Sequence, residues 1–176
     1  MDDLNRLSVE DFQEIPKNPF AIILDDIRSL NNVGSIFRTA DAFKAQQIYL
    51  CGITGTPPHR DITKTALGAE DSVAWQYAPD AAQLVQNLKM EGYQIVAIEQ
   101  VEGSTMLQDF EPIANKKYAF VLGNEVFGVN ETVISQCDMC LEIPQFGTKH
   151  SLNVAVSAGI VAWQFLVKSN KNLTLK

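Results

Sequence analysis

The 176-residue chain lacks any apolar run long enough to cross a bilayer, and its first residues are polar and acidic. An N-terminus of that composition excludes a secretory signal peptide, so we expect a cytoplasmic protein. A single domain is the default for a chain of this length. We place it at 19–170, after a short N-terminal extension over 1–18 and before a C-terminal tail over 171–176.

Cysteine is scarce, since the sequence has only Cys51, Cys137 and Cys140. An odd number of cysteines without a secretory signal argues against structural disulfides. Cys137 and Cys140 form a single C-x-x-C motif with no second pair and no nearby pair of histidines, which is weak support for a zinc or redox site. We expect these two thiols to be buried and free in the last strand, and we predict no metal centre.

Positive charge is also in short supply. Lysine and arginine number 14 against 21 aspartates and glutamates, which gives a formal net charge of −7. General nucleic-acid binders usually present a basic surface, so this balance argues against a broad RNA or DNA binder. Any RNA-directed function must therefore depend on a local patch of charge.

The common nucleotide-binding fingerprints are missing. The segment from Val121 to Val129, "VLGNEVFGV", matches neither G-x-G-x-x-G nor a Walker loop, so neither a dinucleotide nor a nucleoside triphosphate is indicated. Gly123 and Gly128 flank a polar pair, and glycines at a strand end let a ligand approach the backbone closely. A tight strand-to-helix turn with a solvated glutamate explains the segment equally well.

The chain does contain a regular alternation of strand and helix patterns. Apolar runs typical of buried strands occupy 21–27, 46–52, 94–100, 118–124 and 139–144, with a strand or extended stretch at 73–78. Helical patterns occupy 31–43, 62–72, 79–93, 130–137 and 152–168. The alternation predicts an α/β fold, a mostly parallel sheet with helices on both faces.

Three details of the helix ends can be predicted from single residues. Asn31 or Asn32 can cap the 31–43 helix. Pro79 is expected to start the 79–93 helix and Gly92 to end it.

Ligands of parallel sheets bind beyond the carboxyl ends of the strands, where three segments of unusual composition stand: 25–38, 123–128 and 144–153.

Arg38 is the first candidate functional residue. It lies among apolar neighbours on a helix expected to pack against the sheet, and an arginine seldom sits there unpaired. An ion pair with Asp41, or a side chain extending its guanidinium to water, explains the spacing without an active site. An active-site role is the alternative, and spacing alone favours the structural explanation.

The last helix is apolar on almost every side. Such a helix is buried all round, either as a central core helix or because a second protomer covers its outer face. Trp163 and Phe165 are therefore candidates for a dimer interface. Ser151 or Asn153 could cap the helix, and the amides there could hold polar groups of a ligand.

The three strand-end segments, 25–38, 123–128 and 144–153, resemble in this order the motifs of the SpoU (TrmH-like) family of RNA 2′-O-ribose methyltransferases, within the SPOUT superfamily. The first motif, N-N-x-G-x-x-x-R-T, is matched by Asn31, Asn32, Gly34, Arg38 and Thr39. The second, G-N-E-x-x-G, is matched by Gly123, Asn124, Glu125 and Gly128. The third, I-P-x-x-G-x-x-x-S-L-N-V, is matched by Ile143, Pro144, Gly147, Ser151, Leu152, Asn153 and Val154. Three motifs in order are far more specific than any one of them.

The resemblance implies a C-terminal deep trefoil knot whose loops bind S-adenosyl-L-methionine, in a homodimer with its catalytic site near the interface. The cofactor-binding positions it implies are Leu122, Gly123, Asn124, Gly128, Ile143, Pro144, Gln145, Ser151, Leu152 and Asn153. The substrate would be a ribose 2′-hydroxyl of tRNA or ribosomal RNA. A catalytically silent cofactor- or RNA-binding module of the same fold is the alternative.

The same resemblance assigns catalytic roles. Because a guanidinium is almost always charged in proteins, we expect Arg38 to hold a phosphate or the 2′-oxygen and to stabilise the developing alkoxide, rather than to act as a base. Asn32, Glu125, Ser151 and Asn153 would orient Arg38 and the ribose. The candidate RNA-binding residues share positions in or near strand-end loops: Arg28, His59, Arg60, Lys64, Lys149 and His150. Solvated loop charge explains these residues equally well.

Overall fold

The computed structural model describes residues 7–149 and 151–169. Its strands are β1 (Asn18–Asp25), β2 (Ala45–Cys51), β3 (Trp75–Ala78), β4 (Tyr93–Ile98), β5 (Thr105–Met106), β6 (Lys117–Leu122) and β7 (Met139–Glu142). Its helices are α1 (Val9–Glu14), α2 (Leu30–Ala42), α3 (Arg60–Ala66), α4 (Ala69–Ser72), α5 (Ala81–Met90), α6 (Glu131–Ile134) and α7 (Val154–Ser169). The strands form one sheet in the order β3-β2-β1-β6-β4-β7-β5, and each pairing is parallel.

Both faces of this sheet are covered by helices. Strand β1 shows why: Ile22 and Leu24 join an apolar cluster with α2 and α7, whereas Ile23 joins a second cluster with α5 and α6. Side chains of a strand alternate between faces, so a continuously apolar strand fills a core on each side. The predicted α/β fold with a parallel sheet and helices on both faces is confirmed.

Two predicted helix starts are wrong. Helix α2 is capped by Ser29, whose hydroxyl accepts a hydrogen bond from the Asn32 amide, rather than by Asn31 or Asn32. Helix α5 is capped by Asp80, which accepts from the Gln83 amide, so Pro79 lies before the cap. In each case a residue one or two positions away from the predicted one has the extended backbone that a cap requires.

The remaining differences concern short elements. The segment 62–72 is two helices, because Leu67 and Gly68 between them have positive φ angles of 55° and 92°. The sequence patterns did not predict α1 or the two-residue strand β5. The 73–78 stretch contains β3, and the predicted end of the α5 segment at Gly92 coincides with a φ of 87°.

The structure tests the expectations about the three cysteines and about membrane-spanning segments. Cys51, Cys137 and Cys140 are free, but only Cys51 is buried, and Cys137 precedes β7 rather than lying in it. Removal from water raises the pKa of the buried Cys51 and of the half-buried Cys137 to about 12. Among the described residues, no helix has the length and apolar character needed to cross a membrane.

Helix α7 is buried on one side only. Phe165 is 1% exposed and packs against Phe20 with ring centroids 5.4 Å apart, so it is a core residue and not an interface candidate. Trp163 is 50% exposed and belongs to a stripe of exposed apolar residues along the outer face of the helix. We define this α7 stripe as Val156, Ile160, Trp163 and Val167.

Candidate active site

A cavity of about 590 Å³ lies at the carboxyl edge of the sheet. The loops after β4, β6 and β7 and the first turn of α7 form its walls. Because β4 lies between β6 and β7, the ends of the three strands are neighbours and their loops converge. Leu122, Leu141 and Leu152 supply apolar surface, and Glu99 and Ser151 supply polar groups.

The buried side chain of Asn124 fixes the loop after β6. Its Nδ2 donates to the Asp26 carbonyl at 2.7 Å, which ties the loop to the end of β1. Its Oδ1 accepts from the amides of Val126 at 2.9 Å and Phe127 at 3.2 Å. These contacts engage both ends of the amide group on the protein itself, so Asn124 shapes the cavity wall through the backbone that it holds.

The glycines of this loop are required by the loop itself. A Cβ on Gly123 would lie 2.1 Å from the Val129 nitrogen. Gly128 has a φ of 72°, and a Cβ there would lie 2.3 Å from Oε2 of Glu99. A side chain at either position would therefore open the cavity wall, a constraint distinct from the close ligand approach expected from the sequence.

Glu125 holds the segment that leads into α2. Its Oε1 accepts from the Ser29 amide and from Nδ2 of Asn32, and its Oε2 accepts from the Arg28 amide, each at 3.0 Å. Burial raises the pKa of Glu125, but the hydrogen bonds from Arg28, Asn32 and Ser29 outweigh burial and hold that pKa below its ordinary value. The carboxylate is therefore ionised at neutral pH.

Asn32 connects this carboxylate to the third segment. While its Nδ2 donates to Glu125, its Oδ1 accepts from Nδ2 of Asn153 at 3.0 Å. Oδ1 of Asn153 accepts in turn from the Ala155 amide at 2.9 Å, which caps α7. Glu125, Asn32 and Asn153, one from each strand-end segment, thus form a continuous hydrogen-bonded chain, which we call the Glu125–Asn32–Asn153 chain.

The loop between β7 and α7 differs from the other two loops in its main-chain hydrogen bonding within the described residues. Within the described residues, no hydrogen bond involves a backbone N–H or C=O of 143–149 or 151–152. Ile143, Gln145, Ser151 and Leu152 nevertheless line the cavity. These backbone groups are therefore available to a ligand.

The structure brings most of the cofactor-binding candidates together. Those that line the cavity are Leu122, Gly123, Asn124, Gly128, Ile143, Gln145, Ser151, Leu152 and Asn153. Pro144 lies between two lining residues without lining the cavity itself. The sequence patterns missed Glu99, although a carboxylate at the end of an apolar strand was a readable signal. Glu99 accepts from the Val129 and Gln100 amides at 3.0 Å each.

Arg38 lies elsewhere in the single chain. It is exposed on α2 and borders a second groove, of about 520 Å³, together with Ser35, Thr39 and Lys64. In the part of the chain that the structure describes, it forms no salt bridge, and Asp41 accepts instead from the Ser72 hydroxyl at 2.7 Å. The ion pair with Asp41 is therefore wrong, and Arg38 does not line the cavity of its own chain.

The RNA-binding candidates are surface residues. Arg28, Arg60, Lys64 and Lys149 are exposed, and Lys64 shares the groove of Arg38. His59 is exposed and caps α3, because its Nδ1 accepts from the Asp61 amide at 3.1 Å. His150 lies outside the described residues.

Comparisons with known proteins find similar sequences. The model of the SpoU rRNA Methylase family matches residues 19–163. The 23S rRNA (guanosine-2′-O-)-methyltransferase RlmB of Neisseria meningitidis is 32% identical over 158 residues, which cover 89% of this chain and 62% of that protein. The putative TrmH family tRNA/rRNA methyltransferase YacO of Bacillus subtilis is 29% identical over 97% of this chain and 66% of its own length. The chain thus spans less than two thirds of either relative.

Solved structures share the fold. The AdoMet-bound rRNA methyltransferase from Sinorhizobium meliloti superposes with a TM-score of 0.80 at 25% identity, covering 93% of this chain and 61% of that chain. The TrmH/SpoU tRNA modifying enzyme from A. aeolicus gives a TM-score of 0.80 at 23% identity, covering 91% of this chain and 80% of that chain. The latter similarity concerns the fold alone.

Proposed function

This chain belongs to the SpoU rRNA Methylase family, and from that premise we propose that it methylates a ribose 2′-hydroxyl of tRNA or ribosomal RNA with S-adenosyl-L-methionine as the methyl donor. Two relatives support this activity. The name of the Neisseria protein specifies 2′-O-methylation of a guanosine in 23S rRNA, and the Sinorhizobium rRNA methyltransferase was solved with AdoMet bound. With either RNA as substrate, the reaction would take place in the cytoplasm.

One observation carries the proposal: the Glu125–Asn32–Asn153 chain joins the three motif segments beside the cavity. The two oxygens of Glu125 are occupied by the start of α2 and by Asn32. We therefore assign Glu125 to positioning Asn32 rather than to touching the ribose. Asn32 and Asn153 hold the start of α7 against α2, and this places Ser151 at the cavity wall.

The cavity suits a folded S-adenosylmethionine. Leu122, Leu141 and Leu152 can pack against an adenine ring. The main-chain polar groups of 143–149, which bond to no other described residue, can bind the polar edge of the ring. Bound there, the cofactor would supply a sulfonium methyl group for direct displacement by an oxygen nucleophile. The task of the protein is then to hold the 2′-oxygen in line with that methyl carbon.

Arg38 is assigned to the cavity of a second copy of the chain. The guanidinium would hold a phosphate or the 2′-oxygen and stabilise negative charge as it develops, as an oxyanion hole does. Arg38 does not line its own cavity, but α2 packs beside α7: Asn32 contacts Asn153, and the rings of Phe43 and Trp163 lie 6.1 Å apart. A partner seated on α7 would therefore lie close to Arg38 and to the cavity walls.

The α7 stripe supports a homodimer as that arrangement. Its four members repeat at intervals of four, three and four residues, which is the spacing of one continuous helix face. All four are exposed, with Val156 at 51% and Trp163 at 50%. A helix-on-helix contact between two copies would bury both stripes at once, as a two-fold interface requires.

The sheet order also suits the deep trefoil knot. Strand β7 lies between β4 and β5, yet the chain joins β4 to β5 directly through 99–104. Ile98 and Thr105 both pair with Leu141, so this connection must cross β7 on one face of the sheet. We propose that the chain leaving β7 threads beneath that crossing before it enters α7.

Transfer of labelled methyl groups from S-adenosylmethionine tests the activity. The protein is incubated with unmodified transcripts of tRNA and of ribosomal RNA, and the product is hydrolysed with alkali. Because 2′-O-methylation blocks cleavage at the modified nucleotide, the label should appear in alkali-resistant dinucleotides. Label in mononucleotides would indicate base methylation and contradict the proposed site of transfer.

A silent cofactor- or RNA-binding module is the second candidate. The position of Arg38 outside its own cavity and the net charge of −7 favour it. Tight binding of S-adenosylmethionine without transfer to either class of RNA would support this module over the enzyme.

A further inference from the structure

Two phenylalanine side chains at the rim of the cavity are almost completely exposed. Phe146 is 97% exposed and Phe127 is 85% exposed, the two largest values among the exposed large hydrophobic side chains of the described residues. Phe127 lines the cavity, and Phe146 directly follows Gln145, which also lines it. The two rings come from the loops after β6 and β7, which form separate walls of the cavity.

Neither ring contributes to the packing of the chain. Phe127 and Phe146 are absent from both apolar clusters, although Phe20, Phe120 and Phe165 meet edge to face within one of them. Phe127 contributes to the fold through its backbone amide, which donates to Oδ1 of Asn124, and not through its ring. A single exposed apolar residue is common on protein surfaces and needs no explanation. Two exposed aromatic rings beside the same cavity form a surface that suits a flat apolar ligand group.

The charge balance favours RNA contacts that do not depend on positive charge. With a net charge of −7, the chain has little general attraction for a polyanion, and no lysine or arginine is among the described residues that line the cavity. Stacking of a base on an aromatic ring does not depend on charge and tolerates any base. We propose that Phe127 and Phe146 stack on unpaired bases of the RNA substrate next to the methylated ribose. This inference rests on the proposed function, since it assigns the RNA contact of the same cavity.

Binding of RNA at several salt concentrations separates stacking from charge contacts. The probe is a fluorescein-labelled single-stranded oligoadenylate, because unpaired adenines stack well and need no knowledge of the natural substrate. Phe127→Ala and Phe146→Ala should each weaken binding roughly tenfold without changing the slope of log Kd against log salt concentration. Lys64→Ala, which removes a charge, should reduce that slope as well as the affinity.

Matched variants keep the test specific. Phe127→Trp and Phe146→Trp retain a flat ring and should retain affinity. Met90→Ala removes an 80% exposed apolar side chain at the end of α5, just before the amino end of β4 and away from the cavity. This variant should leave the affinity unchanged. Because all of these side chains are exposed, the variants should fold, which circular dichroism can check.

Three results would overturn the assignment. The first is oligoadenylate binding that is absent from the unchanged protein or unaffected by both alanine variants. The second is dissociation of the dimer by either variant in analytical ultracentrifugation, which would make the rings an interface between copies. The third is a matching loss of affinity for S-adenosylmethionine, which would make them a wall of the cofactor site. Methyl transfer is measured separately, so failure of the activity and failure of the stacking role are distinguishable.

Discussion

The side chains of Asn32 and Asn153, 121 residues apart in sequence, meet through a hydrogen bond of 3.0 Å at the side of the cavity. Each amide also serves a second partner: Asn32 donates to Glu125, and Asn153 caps α7. The pair therefore fixes where the last helix begins relative to the loops that precede it. Loss of this hydrogen bond should lower the stability of the protein and change the shape of the cavity.

A double-mutant cycle measures this pair. Asn32→Ala and Asn153→Ala should each destabilise the protein, Asn153→Ala by about 1 kcal/mol from the lost helix cap alone. The double variant should lose less than the sum, with a coupling energy of about 1 kcal/mol in urea unfolding, because the two side chains share one hydrogen bond. Asn31→Ala, an exposed neighbour, is the control. Strict additivity would show that the two amides act independently.

Glu125 should make stability depend on pH. Its folded pKa is depressed, so the carboxylate contributes stability that is present above the unfolded pKa and lost as pH falls through the lower, folded pKa. Glu125→Gln should therefore be less stable than the unchanged protein at neutral pH, and the difference should shrink in acid below the ordinary pKa of 4.5. Urea unfolding from about pH 7 down to about pH 3 follows this window. An equal difference at every pH would contradict the assignment, and exposed Glu102→Gln serves as the control.

The parts of the fold that could be predicted from sequence are those that local patterns encode. Apolar runs such as 21–27 indicate buried parallel strands, and the carboxyl ends of such strands must share an edge, so the meeting of the three segments was predictable. The cap of α2 was not, because Ser29 and Asn32 have similar capping preferences. The choice between them depends on Glu125 and Asn153, far along the chain.

The buried side of α7 could not be predicted from local sequence patterns either. When a helix is apolar all round, its periodicity does not say which side faces the sheet, and Phe165 and Trp163 looked alike although one is buried and the other half exposed. For Arg38, local patterns left two structural explanations open, an ion pair with Asp41 or a guanidinium extended to water. The exposed position of Arg38 contradicts only the ion pair.

The α7 stripe should hold the dimer. Ile160→Glu and Trp163→Glu place a charge where two apolar faces meet, and each should weaken self-association by at least about 30-fold, the effect expected of a central interface residue. Sedimentation equilibrium measures the change. Met90→Glu adds the same charge to an exposed apolar position at the other edge of the sheet and should leave association unchanged. Dimers that survive both α7 variants would exclude the stripe as the interface.

Gly128 and Gly103 form a matched pair for testing the wall between β4 and β6. Both have positive φ angles, 72° and 83°, so alanine is strained at either site by about 1 kcal/mol. Only at Gly128 would the new Cβ collide with Glu99, since nothing lies within 4 Å at Gly103. Gly128→Ala should therefore cost more in urea unfolding than Gly103→Ala and should also weaken binding of S-adenosylmethionine. Equal costs and unchanged binding would show that the contact with Glu99 does not shape the cavity.

Mixing two inactive variants tests whether Arg38 serves the cavity of a second copy. Arg38→Ala should bind S-adenosylmethionine normally and lose methyl transfer by about a hundredfold or more, as when a group that stabilises transition-state charge is removed. Ser151→Trp should fill the cavity and abolish cofactor binding, because Ser151 lines it. In a heterodimer of the two, the intact cavity of one chain faces the intact Arg38 of the other, so refolding them together should restore one working site. If Arg38 instead acted within its own chain, neither site of the heterodimer would be complete and the mixture would stay inactive.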